Sequence, residues 1–145
     1  MTVTAIRPTA PVLPPVGAFL ATSWGYDQTN VEFYKVVGHT KSGKSVVLQP
    51  WCSQLQDESR GSAEYVVPAG RPRQIAEYAP LEGAAGEYGW GRREVTGYHD
   101  APTFVHRARW SHDADGAPTA TTVAGHYATV WDGRPCYATA AGWGH

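Results

Sequence analysis

Glycine and proline punctuate this chain too densely for a helical protein. The longest stretches free of both, Tyr26 to Val37 and Thr103 to Asp115, are each only about the length of one average helix. Neither carries a 3.6-residue apolar repeat. In the first, Val31, Phe33 and Val37 fall on one face at period two, with Lys35 the exception. In the second, Phe104, His106, Ala108 and Trp110 alternate with Val105, Arg107 and Arg109. Period two is the spacing of a strand, whose successive side chains point to opposite faces. A chain of 145 residues is expected to form one core. Its six Trp, eight Tyr and three Phe make that core aromatic.

Residues 1–17 read as a Pro-rich extended arm, partly mobile, because proline cannot supply a regular hydrogen-bond ladder. Residues 18–145 read as a single β-rich domain. Strands are expected at Ala18 to Ser23, Val31 to Val37, Ser45 to Gln49, Thr103 to Trp110, Thr119 to Trp131 and Cys136 to Ala140, with turns at Asp113 to Gly116 and at Asp132-Gly133. Pro50 at the front of Trp51 to Arg60 permits one short helix there. From Pro68 to Gly97, glycines and prolines recur every few residues, which predicts an irregular insertion with short edge strands at best. The expected fold is all-β, a small SH3-like barrel or sandwich, because closure hides strand edges that an open sheet would expose.

Charge narrows the partners. Twelve Lys and Arg against thirteen Asp and Glu give a net charge of −1, so no global field favours tight nonspecific binding to polyphosphate. Cys52 and Cys136 are the only cysteines, and a cytosolic chain with two free thiols is favoured over a disulfide. The first residues carry one positive side chain, and Pro11, Pro14 and Pro15 break the apolar stretch behind it. A secretory or membrane-spanning segment is therefore not expected.

Gly38 to Ser45 matches the phosphate-loop pattern G-x-x-x-x-G-K-[ST] letter for letter. That loop works by feeding a helix whose N-terminus binds phosphate. Here Val46-Val-Leu-Gln-Pro50 follows, so the segment reads as a basic hairpin tip. Six histidines show no close pair of the sort that small zinc domains use. A metal-dependent hydrolase would have to draw on His99, His112, Asp113 and Asp115, and no cofactor is expected. Arg71, Arg73, Arg92, Arg93, Arg107 and Arg109, interleaved with Tyr65, Tyr78, Trp90 and Trp110, suggest the alternative of a single-stranded nucleic-acid binder, since bases stack on aromatic rings beside guanidinium groups. Interspersed glutamates make a solvated face the simpler reading of these residues.

Two segments are denser in chemistry than connecting turns need to be. Trp24-Gly-Tyr26-Asp27-Gln28-Thr29-Asn30 sets two large aromatics and four hydrogen-bonding side chains around one glycine, and the chain ends Gly142-Trp143-Gly-His145. Either Trp24 and Tyr26 are core and the polar residues close a turn, or the segment is a directional rim with Tyr34 beside it. An indole near a terminus is expected to dock on the body, which would hold Trp143 and His145 in place.

The block from Trp24 to Val37, then Ser45-Val-Val-Leu48, Tyr65-Val-Val-Pro68, and at the end Trp131-Asp132-Gly-Arg-Pro135 with Gly142-Trp-Gly-His145, resembles an uncharacterised family of small proteins encoded by bacteriophages, prophages and plasmids. The resemblance covers somewhat under half the chain. It implies a phage-type origin and action in the host cytoplasm, and it implies no activity. The expectation is a non-enzymatic accessory protein that binds a host or phage macromolecule, or a small ligand. Trp24, Tyr26 and Tyr34 would serve as aromatic walls, Asp27, Gln28, Thr29 and Asn30 as selectors, and Trp131, Asp132, Trp143 and His145 as the facing wall.

Overall fold

The structure, a computed structural model, describes residues 12–24, 30–56, 63–79 and 94–139. These residues contain no helix and form eleven strands: β1 (Phe19–Trp24), β2 (Asn30–His39), β3 (Val46–Leu55), β4 (Ala63–Pro72), β5 (Gln74–Tyr78), β6 (Val95–Asp100), β7 (Phe104–His106), β8 (Ser111–His112), β9 (Pro118–Val123), β10 (His126–Val130) and β11 (Cys136–Thr139). The fold is all-β, as the alternation predicts. Nine strands make one antiparallel sheet in the order β11-β4-β3-β2-β1-β10-β9-β8, with β7 added to β3; β5 and β6 form a separate ribbon.

Alternation along β1 and β2 sends apolar side chains to both faces. Leu20, Tyr34 and Val36 point one way and join Val46, Leu48, Val123 and Ala128 in a buried cluster. Phe19, Ala21, Val31 and Phe33 point the other way, to Trp51, Val66, Trp131 and Cys136. Each face must be covered, so the sheet curls into a half-barrel. On the first face, β7 pairs with β3 and β8 with β9, so one short segment spans from one part of the sheet to the other. Thr121 ties that segment down by donating from Oγ1 to the Arg109 carbonyl at 3.0 Å. On the second face, β11 pairs with β4 and runs back across β1 and β2. Lys35 breaks the apolar pattern of β2 because its ammonium lies 4.5 Å from the centre of the Trp51 ring, where its stem covers aromatic surface.

Several boundaries differ from the sequence reading. Trp51 to Leu55 is not a helix but the second half of β3, because Pro50 still accepts through its carbonyl, from Arg73 N at 3.0 Å. Residues 57–60 lie outside the described residues. The stretch from Pro68 begins inside β4, whose prolines fall at Trp51↔Pro72 and Ser53↔Pro68, either side of a register shift. A proline in a ladder is tolerated at such a bulge. β5 and β6 then occupy 74–78 and 95–100, while 80–93 fall outside the described residues. The strand expected over 103–110 stops at His106.

Asp132-Gly133 turns the chain, but the strand after it pairs with β4 and not with β10. The strand expected over 119–131 is two strands, joined by Ala124 and Gly125 at φ of 51° and 80°. Positive φ at both central residues marks a type I′ turn, and Ala is a poor residue for it. Of the arm, residues 12–17 pack on the body: Gly17 N donates to Val36 O at 2.7 Å, and Leu13 joins the first cluster. Gly38 to Ser45 is a hairpin tip closed by Thr40 N donating to Ser45 O at 3.0 Å, with no helix behind it.

Because Ala124 holds a left-handed conformation, Ala124→Asn is expected to raise unfolding free energy by about 0.5–1 kcal/mol, read from urea denaturation midpoints at unchanged slope.

Candidate functional site

The sheet's curl leaves a groove between β1 and β10 on one side and the 131–137 segment on the other. It consists of two adjoining clefts of about 480 and 440 Å³ that share Ala21, Thr129 and Cys136. Trp131, Asp132 and Arg134 line one end. Ser23, Val31 and Tyr137 line the other. The groove exists because β11 leaves the Trp131 turn and crosses the face of β1 without pairing to it. Strands flanking the two dense segments of the sequence therefore line one cavity, although more than a hundred residues separate them along the chain.

Individual placements depart from expectation. Trp24 does not face the groove. It shares the Leu20 and Thr22 face of β1 and stacks on His126, with ring centres 4.9 Å apart and planes at 16°. Asn30 pairs with Trp24 across the ladder, its Nδ2 donating to the Trp24 carbonyl at 3.4 Å. Tyr34 is also on the opposite face and is buried. Its hydroxyl donates to Glu32 Oε2 at 3.3 Å and its ring stands edge-on to Phe104. Burial, and then the Glu32 carboxylate, push its phenol above the usual range. A one-residue step along β2 decides this, since neighbours in a strand face opposite ways.

Trp131 sits in the groove wall half-buried, edge-on to Phe19 and Phe33, and its indole donates to Arg134 O at 2.7 Å. Asp132 uses Oδ1 to accept from Arg134 N at 2.9 Å, so its carboxylate shapes the turn. Tyr26, Asp27, Gln28, Thr29, Trp143 and His145 lie outside the described residues.

The groove's thiol, Cys136, is free and half-buried. Burial chiefly, with the Asp132 charge adding to it and a contact to Trp131 opposing, raises its pKa, which keeps it protonated and a poor nucleophile. Cys52 is also free, its Sγ donating to Pro72 O at 3.3 Å. Sequence reasoning missed Ser23, Thr129, Cys136 and Tyr137 as groove residues and His126 as the partner of Trp24. Finding His126 requires the Ala124-Gly125 turn, which does not look like a turn in the sequence.

The residues behind the two alternative readings are dispersed. Arg71 is exposed on β4, Arg73 lies 4.0 Å from Glu32, and Arg107 and Arg109 follow β7, while Arg92 and Arg93 fall outside the described residues. Tyr78 sits on the ribbon beside Glu77, Tyr65 stands edge-on to Tyr137, and the Arg73 guanidinium lies 5.8 Å from the centre of the buried Tyr34 ring. His99 pairs with Glu77 at 3.1 Å, and His112 donates to Val12 O at 3.0 Å. Asp113 Oδ1 accepts from Asp115 N and Ala117 N, both at 2.9 Å. Among the described residues no three or more potential metal ligands come together, and no helix is long and apolar enough to cross a membrane. No protein-family model, curated protein or solved structure matches the chain.

His106 adds a titratable group under the first cluster. Thr121 gives its one proton to Arg109 O, so His106 Nε2 is the donor in their 3.2 Å contact. Burial lowers the His106 pKa below the ordinary imidazole value of about 6.5. Below that value the unfolded chain takes up a proton that the folded one resists. Stability is therefore full above about pH 6.5 and falls as pH drops through the window beneath it. Thermal melts from pH 7.5 to 5 should show this decline, and His106→Asn should flatten it.

Proposed function

We propose that the protein is a non-enzymatic accessory binding protein of phage type, acting in the host cytoplasm, that holds its partner along the groove between β1, β10 and β11. The observation that supports this reading is the shared cleft. Ala21, Ser23 and Val31, which flank the Trp24 to Asn30 segment, line it together with Thr129, Cys136 and Tyr137, which precede the Gly142 to His145 segment. Strands that neighbour both segments in the sequence thus line one cavity. Its volume suits a small ligand or one inserted side chain of a macromolecule. The cleft beside Ser23 and Tyr137 offers hydroxyls and a protonated thiol, and the adjoining one adds Asp132, which shapes its own turn, and Arg134, groups suited to holding a ligand. The phage-type assignment rests on the sequence resemblance alone.

Thr129 is exposed on the groove wall, so Thr129→Trp should fill the cavity and change stability by no more than about 0.5 kcal/mol. In affinity capture from bacterial host lysate, with and without nuclease, the unaltered chain is expected to retain a partner that Thr129→Trp loses. Capture unaffected by Thr129→Trp would remove the groove from the mechanism. Capture that disappears on nuclease treatment would point instead to nucleic acid.

A further inference from the structure

The β5–β6 ribbon forms a sheet separate from the one that carries the groove, and it exposes large apolar side chains. It is a two-stranded sheet anchored at its root, where Ala101 N donates to Arg73 O at 2.8 Å and Gln49 Nε2 to Ala101 O at 2.9 Å. The register sets Ala76 opposite Tyr98 and Tyr78 opposite Val95 on one face. Tyr98 is 66% exposed, Tyr78 50% and Val95 43%. A two-stranded ribbon alone is marginal in water, so such a face calls for cover. The ribbon's carboxylates are Glu77, Glu94 and Asp100, and the basic group among them is His99, which faces Glu77.

A complementary surface lies on the same chain. Among the described residues β7 has a ladder partner on one side only, and it exposes Val105 and Phe104. At the end of β7, where His106 pairs with Val46, the exposed Arg107 and Arg109 leave the sheet together with the loop carrying Lys41 and Lys44. This end of the body is basic where the ribbon is acidic. Ala101 to Thr103 alone separate ribbon and edge along the chain, yet within one copy β6 and β7 do not pair.

We propose that the ribbon of one copy lies along the open β7 edge of a second copy, and reciprocally, so that the protein forms a two-fold dimer. Acidic ribbon meets basic edge, the tyrosine face is covered, and an unpaired strand edge is satisfied in both copies at once.

Sedimentation equilibrium on the full chain tests this. A monomer–dimer equilibrium is expected, with Tyr98→Ser and Val105→Lys each weakening association by about tenfold or more. Reversing Glu94 and Asp100 to Lys, Asp100 lying on the tyrosine face, should also weaken it. Reversing Lys41 and Lys44 to Glu in the same chain should restore it. Tyr98 lies on the ribbon, away from the core, so its variant reads association even if Val105→Lys disturbs folding, which a melting curve reports. A monomer at every concentration overturns the proposal. So does a dimer indifferent to Tyr98→Ser, or one weakened by Tyr98→Ser but not by a folded Val105→Lys, since the ribbon would then rest elsewhere.

Discussion

The central constraint on this molecule is that β1, β2 and β3 bury apolar side chains on both faces. A half-solvated antiparallel strand needs one apolar stripe, whereas Phe19 to Ala21 and Phe33 to Val36 supply two. Neither stripe can face water without exposing Leu20 or Phe33, both fully buried here. The rest of the chain is arranged to cover them. The 104–112 segment, β9 and β10 wrap one side, and β4, β11 and Trp131 wrap the other. The groove is the seam where the second wrapping is incomplete, because β11 pairs with β4 and only lies across β1.

Much of this was legible in the chain. The Gly and Pro spacing left room for no more than one short helix, and the alternation in Val31 to Val37 and the Gly/Ser/Lys loop after it marked the β2–β3 hairpin. What was not legible has specific physical causes. Pro50, Pro68 and Pro72 looked like interruptions, but a carbonyl can accept without an N–H beside it, and a register shift absorbs the rest. Ala124-Gly125 was hidden because Ala rarely takes positive φ. The pairing of β11 with β4 instead of β10 depends on long-range closure that local pattern does not carry.

The residues expected to form a site fall only partly together, for a reason separable from the misplacements. Trp131, Asp132 and the residues flanking Trp24 to Asn30 do border one cavity. Trp24 and Tyr34 do not, since each lies one position out of phase with Ser23 and Phe33 along its strand. Asp132 and Asp113 are consumed by turns, a common fate for Asp beside Gly, and one that composition cannot distinguish from ligand binding. Tyr34 was singled out for its ring, and its role is instead to fill the first cluster and anchor Glu32.

The order of strands in the sheet bears on how the chain is made. β1 acquires β2 early, but its other neighbour is β10, through pairs such as Leu20↔Val130 that lie 110 positions apart. During synthesis the first hairpins must therefore wait, with one flank unsatisfied, until the residues of β10 have left the ribosome. A topology dominated by such distant partners is slow to assemble and prone to clumping meanwhile. Truncation from the carboxyl end would strand an adhesive sheet rather than yield a smaller working version.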